Sequence, residues 1–141
     1  DGVFDAPLNP LILSIAAGAT FVARGFAGDV PHLTGLMAEA ITHKGFAVID
    51  VLQPCVTFNK EHTYDWFRQR LYKLDPAGYT PDNKLKAIEK AMEWGDKIPY
   101  GIFYKEVRPA SEDHEPALKA GPLARQPLGN VPLDDVLSEF I

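Results

Sequence analysis

The run Phe46-Ala47-Val48-Ile49-Asp50-Val51-Leu52 constrains the fold more than any other feature of this chain. Such a nearly continuous apolar run is typical of a strand covered on both faces, as in a parallel sheet. A shorter apolar run lies upstream at residues 20–23, and an amphipathic helix between Pro31 and Gly45 separates the two runs. Strand, helix and strand in this order predict a right-handed parallel βαβ unit.

Four further elements are predicted around this unit. Asn9-Pro10 and Gly18 have the residue types that begin and end a short helix. A helix capped by Thr63 is predicted to run through Leu74, and another spans residues 82–94. Residues 98–104 form a last strand, for which Pro99 and Gly101 predict an edge position, since proline lacks the backbone donor that a central strand needs.

Three strands are fewer than a parallel sheet covered on both faces usually has. We therefore expect an α/β fold, part of a doubly wound and mostly parallel sheet that is incomplete on its own and prone to self-association through its open edge. The predicted domain covers residues 1–105. Residues 106–141 are rich in proline and predict a tail, with a short terminal helix at residues 133–141.

Composition narrows the class of protein. A length of 141 residues suits one domain, and because the chain does not begin with methionine we expect it to be part of a longer protein. The net charge of −5 without any basic run argues against a nucleic-acid partner, and no apolar run is long enough to span a membrane. One cysteine excludes an internal disulfide and favours the reducing cytoplasm.

That cysteine, Cys55, is the strongest candidate for chemistry because it follows the strand at residues 46–52, and open α/β sheets bind ligands at the carboxyl ends of their strands. It could be an iron–sulfur ligand, a nucleophile with His62 or His43 as base, or an inert core thiol. A cluster needs four ligands, so three would have to come from elsewhere. Asp50 needs a bonding partner if it is buried, and Asp29 is predicted to cap the next helix.

Several sequence runs resemble one family closely. They are Gly18-Ala19-Thr20-Phe21-Val22-Ala23-Arg24, His43-Lys44-Gly45-Phe46-Ala47, Gln53-Pro54-Cys55-Val56-Thr57-Phe58-Asn59 and Trp94-Gly95-Asp96-Lys97-Ile98-Pro99. Over residues 5–105 the chain resembles the C-terminal half of the beta subunit of 2-oxoacid:ferredoxin oxidoreductases, and it looks most like the 2-oxoglutarate type.

This resemblance implies a thiamine-diphosphate-binding fold and an enzyme that oxidatively decarboxylates a 2-oxoacid onto coenzyme A and passes electrons to ferredoxin. It implies thiamine diphosphate, magnesium and a 4Fe–4S cluster, with Cys55 matching one cluster ligand. Thr57 and Asn59, which follow it in the same run, are further candidate cofactor-binding residues that shape its turn. No catalytic residue is implied in this chain. The implied partners are an alpha subunit and the N-terminal half of the beta subunit, which carries the other three cysteines, so the chain alone should be inactive.

Two alternatives remain at this point. One is a non-catalytic interaction module that keeps the fold and associates through its open sheet edge or its tail. The other is a thiol enzyme that uses Cys55 and His62.

Overall fold

The computed structural model describes residues 7–127 and 137–138. Its strands are β1 (Phe21–Phe26), β2 (Ala47–Leu52), β3 (Leu71–Lys73) and β4 (Ile98–Lys105). They form one sheet in the order β2-β1-β4-β3, in which β1 is parallel to β2, β3 is parallel to β4, and β1 and β4 are antiparallel. The prediction of an α/β fold with a mostly parallel sheet is confirmed.

The chain divides into two compact units, Asp1–Arg108 and Pro109–Ile141. The first unit contains the sheet and four helices, which are α1 (Pro10–Ala16), α2 (Val30–Thr42), α3 (Tyr64–Arg68) and α4 (Lys84–Met92). The second contains α5 (Ser111–His114) and two 3-10 turns at Pro116–Leu118 and Leu123–Arg125.

The terminal helix predicted at residues 133–141 lies mostly outside the described residues. Only Leu137 and Ser138 of that stretch are described, and both are helical. Within the described ranges, no helix is both long and apolar enough to cross a membrane.

Helix α1 forms where the sequence predicts it. The Asn9 side chain accepts hydrogen bonds from the backbone N–H groups of Leu11 and Ile12, and Pro10 occupies the first turn. Gly18 follows the helix with a φ of 90°, a conformation that glycine adopts without strain. Asn9 Nδ2 also donates to Ala91 O at 2.7 Å, which ties the start of α1 to the end of α4.

The sheet has helices on both faces. On one face, α1 and α4 pack over Val22 and Phe103, in a core cluster that includes Leu11, Ile15, Ala87 and Ala91. On the other face, Leu36 of α2 packs against Phe21 and Ala23. Because side chains alternate along a strand, consecutive residues of β1 contribute to the two cores, and all six of its residues are buried.

The helix predicted from Thr63 to Leu74 is wrong in its second half. Helix α3 ends at Arg68, and Leu71–Lys73 form strand β3. The cause is tertiary pairing, since Ile98 N donates to Arg70 O at 2.9 Å and Leu74 N donates to Tyr100 O at 2.9 Å. These bonds to β4 outweigh the helical spacing of Tyr64, Phe67, Leu71 and Leu74.

The predicted edge position of the last strand is also wrong, because β4 lies between β1 and β3. The backbone bonds from β4 to the residues flanking β3 come from Ile98 and Tyr100, on either side of Pro99. Pairing of β4 with β1 begins only at Gly101. Pro99 is tolerated because neither set of bonds uses the N–H group that proline lacks. Strand β1 is longer than residues 20–23 and includes Arg24, which the sequence pattern placed at its end.

Candidate functional site

The segment at residues 53–63, here called the cysteine loop, joins the carboxyl end of β2 to α3. Cys55 lies near its start and is exposed, with a free thiol. Across the described residues, no hydrogen bond of Cys55 Sγ is found and no group of three or more His, Cys, Asp or Glu side chains is arranged to hold a metal. The thiol is therefore accessible, and the described part of the chain supplies one ligand at most.

Asn59 organises the cysteine loop. Its backbone N–H donates to Cys55 O at 2.9 Å and closes the turn that contains Thr57. Its Oδ1 accepts from the backbone N–H groups of Glu61 at 3.0 Å and His62 at 2.9 Å, and its Nδ2 lies 3.2 Å from His62 Nδ1. The Asn59 side chain is thus engaged within the loop, as in an Asx turn.

Two exposed apolar residues follow Cys55 closely in the sequence. Phe58 is 90% exposed and Val56 is 47% exposed, so both side chains lie beside the thiol in sequence without a core to cover them. Lys60 Nζ donates to Val56 O at 2.6 Å. Of the two, Phe58 is the side chain that a partner polypeptide would cover with the larger loss of exposed apolar surface.

The two histidines considered as bases for Cys55 have other partners. His62 packs edge-on against Trp66, with ring centroids 4.5 Å apart, and is held by Asn59. His43 Nε2 lies 2.8 Å from Thr20 Oγ1, at the start of β1. Neither histidine forms a hydrogen bond with the thiol in the described part of the chain, so the geometry does not support a cysteine–histidine pair.

Asp50, which is half-buried, has a bonding partner on the neighbouring strand. Arg24, on the neighbouring strand β1, donates from Nε to Asp50 Oδ2 at 3.0 Å. The two residues are in register, and the Arg24 side chain is 2% exposed. The sequence pattern indicated that Asp50 needs a partner and did not identify Arg24, because nothing in the spacing of the chain predicts which residue of β1 faces it.

A second charged cluster lies after β1. Asp29 caps α2, as predicted, by accepting from His32 N, and its Oδ2 also accepts from Lys73 Nζ and Tyr100 Oη, both at 2.9 Å. The hydrogen bond from Lys73 is the main cause that lowers the pKa of Asp29. Burial lowers the pKa of His32, whose ring packs edge-on against Tyr100 with centroids 4.9 Å apart. This cluster fixes the start of α2.

Comparison with known proteins identifies the family. Residues 55–120 match the family model for the C-terminal region of the pyruvate ferredoxin oxidoreductase beta subunit, and that match begins at the cysteine itself. A 2-oxoacid:ferredoxin oxidoreductase beta subunit from Sulfolobus sp. is 50% identical over 117 residues, which cover 75% of this chain and 38% of the relative. The 2-oxoglutarate oxidoreductase subunit KorB of Mycobacterium tuberculosis is 38% identical over 68 residues, covering 48% of this chain and 18% of the relative.

A solved structure agrees with the sequence matches. The 2-oxoglutarate:ferredoxin oxidoreductase from Magnetococcus marinus, determined with 2-oxoglutarate, coenzyme A and succinyl-CoA bound, superimposes with a TM-score of 0.80 at 27% identity. The match covers 98% of this chain and 46% of that one.

Together with the cysteine loop and the α/β sheet, these matches show that the chain belongs to a family of ferredoxin oxidoreductase subunits. The chain is homologous to the C-terminal part of the beta subunits of 2-oxoacid:ferredoxin oxidoreductases, which confirms the resemblance stated from the sequence. It spans less than half the length of these relatives.

Proposed function

We propose that this chain is the C-terminal part of the beta subunit of an enzyme that oxidatively decarboxylates 2-oxoglutarate and transfers the acyl group to coenzyme A. Electrons leave through a 4Fe–4S cluster to ferredoxin. The activities named for the M. tuberculosis relative and the M. marinus enzyme support 2-oxoglutarate as the substrate. The reducing cytoplasm is the compartment that suits a chain with a single free thiol.

The observation that carries the proposal is the position of Cys55. Its thiol is exposed after the carboxyl end of β2, a half-buried strand parallel to β1, in a loop whose hydrogen bonds leave Sγ free. A thiolate in this position fits one of the four ligands of a 4Fe–4S cluster, which when bound accepts and passes on single electrons. The other three ligands belong to the rest of the beta subunit.

In this proposal Asn59 and Thr57 shape the cysteine loop around the cluster ligand. Both acceptor and donor groups of the Asn59 side chain are used inside the loop, and the turn that contains Thr57 is closed by the bond from Asn59 N to Cys55 O. The loop therefore restrains the backbone that carries Cys55 before any ligand arrives, which reduces the entropy lost on binding.

Thiamine diphosphate and its magnesium ion have no counterpart among the described residues, so their binding is assigned to the upstream part of the beta subunit. The chain contains no Gly-Asp-Gly run of the kind that the resemblance implies for the diphosphate. The whole enzyme also requires an alpha subunit, and this chain alone has no activity. Its contributions are the Cys55 thiol, the loop that positions it, and the sheet that supports the loop.

The test uses a joined subunit, in which this chain follows the upstream part of the beta subunit of the Saccharolobus solfataricus relative, which is 50% identical over 111 residues. The joined subunit is reconstituted with iron and sulfide under anaerobic conditions. Cys55→Ala should reduce the visible absorbance of the cluster and speed its loss in air, because a 4Fe–4S cluster with three thiolates is less stable.

Glu61→Asp is the matched control, because it lies in the same loop and keeps its charge. It should retain the absorbance and air stability of the unchanged subunit. If Cys55→Ala behaves like Glu61→Asp, the assignment of Cys55 as a ligand is wrong. A normal fold with no cluster in any variant would favour the non-catalytic interaction module.

A further inference from the structure

A cavity of about 440 Å³ lies beside the ion pair of Arg24 and Asp50, on the face of the sheet covered by α1 and α4. Asn9 and Ala91 also line it, and these two residues join the ends of α1 and α4. The cavity is separate from the cysteine loop, none of whose residues lines it. It is large enough to accept a segment of polypeptide.

Arg24 is not fully bonded at this cavity. Its Nε donates to Asp50, and its guanidinium carbon lies 5.4 Å from the centre of the Trp94 ring and 5.5 Å from that of Phe103. Its Nη1 is buried and lacks a hydrogen-bond partner within the described structure. Leaving a donor of a buried charged group unpaired is costly, so an acceptor is expected when the protein is assembled.

The charges at the cavity indicate what kind of acceptor fits. Arg24 and Asp50 already form a neutral pair, and the Arg24 side chain is 2% exposed. A second carboxylate or a phosphate would add an uncompensated negative charge to a poorly solvated site. A backbone carbonyl completes the bonding of Arg24 without adding charge, so the chemistry favours a polypeptide over a small anion.

The rim of the cavity fits the same partner. Leu8 is 73% exposed, Met92 is 65% exposed and Trp94 is 57% exposed, and all three line the opening. Large apolar side chains gathered around one cavity are typical of a surface that another polypeptide covers. Trp94 is also of the residue type that most often anchors such contacts.

The position of the rim along the chain identifies the partner. Pro7 and Leu8, the first residues that the structure describes, lie at the cavity. This chain covers only 38% of the Sulfolobus relative and 36% of the S. solfataricus relative, so most of a whole beta subunit lies outside it. Any polypeptide that precedes residue 7 therefore starts from this surface.

We propose that the upstream part of the beta subunit docks over this cavity, covers Leu8, Met92 and Trp94, and supplies a backbone carbonyl to the Arg24 guanidinium. The inference rests on the proposed function, because it assumes that the chain works within a whole beta subunit. It assigns a specific interface to the side of the sheet that carries the Arg24–Asp50 pair.

The two methionines of this chain provide an internal test. Met92 lies on the rim, whereas Met37 is 43% exposed on α2, on the opposite face of the sheet. The joined subunit is treated with hydrogen peroxide, and sulfoxide formation at each methionine is followed by peptide mass spectrometry. In urea the two should oxidise at equal rates. In the folded joined subunit Met92 should oxidise at least ten-fold more slowly than Met37.

A second variant tests the role of Arg24 itself. Arg24→Lys keeps a cation for Asp50 and removes the guanidinium donors, so it should reduce the protection of Met92 at least three-fold while the circular dichroism spectrum stays that of the folded subunit. Equal oxidation of Met92 and Met37 in the folded joined subunit would overturn the docking site. Unchanged protection in Arg24→Lys would overturn the bond to Arg24, leaving that donor to a buried water.

The outcome is independent of the cluster. The same oxidation experiment is repeated with Cys55→Ala, which should leave the protection of Met92 unchanged. Failure of Cys55→Ala to affect the cluster contradicts the proposed function, whereas an unprotected Met92 without any substitution contradicts the docking site alone.

Discussion

Strand β4 and the cysteine loop differ in how they are held. Phe103 of β4 is fully buried against residues of α1 and α4, and its strand is bonded on both sides. In the cysteine loop, by contrast, Phe58 is 90% exposed and the side-chain bonds of Asn59 stay within the loop. The first region depends on long-range packing, and the second depends on local hydrogen bonds.

This difference separates the residues that stabilise the sheet from those that position the candidate ligand. Substitutions around Phe103 should change the free energy of unfolding, because apolar burial is the main favourable contribution to folding. Substitutions in the cysteine loop should change the environment of Cys55 and leave the free energy of unfolding nearly constant, since exposed loops open locally at little cost.

The largest expected effect is that of Phe103→Ala. Removing a fully buried aromatic ring leaves a cavity in the core cluster and should lower the free energy of unfolding by about 3–5 kcal/mol. Phe58→Ala removes the same atoms from an exposed position and should change it by less than about 0.5 kcal/mol. Urea unfolding followed by circular dichroism measures both, and equal losses would show that the two regions are not distinct.

Arg24→Ala should have the next largest effect, because it leaves the Asp50 carboxylate unpaired next to the core. We expect a loss of about 3 kcal/mol, at the lower end for a buried pair since the Asp50 side chain is 21% exposed. The double variant Arg24→Met with Asp50→Leu should lose less than Arg24→Ala in the same urea experiment. A larger loss in the double variant would mean that the pair contributes more than charge compensation.

Asn59→Ala should act locally. It removes the acceptor for the backbone N–H groups of Glu61 and His62, so hydrogen exchange at these two amides should become faster, while the free energy of unfolding falls by about 1 kcal/mol or less. Asn59→Asp keeps the acceptor and should retain slow exchange. If the free energy of unfolding fell as much as it does for Phe103→Ala, the loop would have to contribute to the core.

The smallest effect concerns pH. Burial lowers the pKa of His32 below its ordinary value of 6.5, so the unfolded chain takes up the proton first as the pH falls. The contribution of neutral His32 to the free energy of unfolding is complete above the ordinary, unfolded-state pKa. It is lost as the pH falls through the lower pKa of the folded state. His32→Phe keeps an aromatic ring against Tyr100 and should weaken the dependence of unfolding free energy on pH between about 7.5 and about 5.5. An unchanged dependence would contradict the effect of burial.

The sequence predicted the features that local residue types determine. Asn9, Pro10 and Gly18 begin and end α1 as expected, and the apolar run through Val48 and Val51 forms the parallel strand β2. These predictions succeed because caps and strand patterns depend on neighbours in the chain. The cover predicted on both faces of β2 is wrong, because β2 lies at the edge of the sheet and all six of its residues are half-buried.

The features that the sequence did not predict depend on contacts between distant residues. Leu71 and Leu74 continue the helical spacing of Phe67, yet Leu71–Lys73 form a strand, because Arg70 and Leu74 bond to β4. The pairing of Arg24 with Asp50 arises from the register between β1 and β2, which no single strand contains. At the candidate site, the position of Cys55 after a strand end followed from the sequence pattern, whereas the hydrogen bonds of Asn59 depend on how the loop folds in three dimensions.

The reactivity of the Cys55 thiol in the joined subunit reports directly on whether this residue is a cluster ligand. Iodoacetamide modification at this residue is measured by mass spectrometry before and after loading with iron and sulfide. We expect ready modification of the exposed thiol in the unloaded subunit and protection of at least ten-fold once the cluster has formed, because a metal-bound thiolate is not free to react. Equal modification in the loaded and unloaded subunits would show that Cys55 is not a cluster ligand.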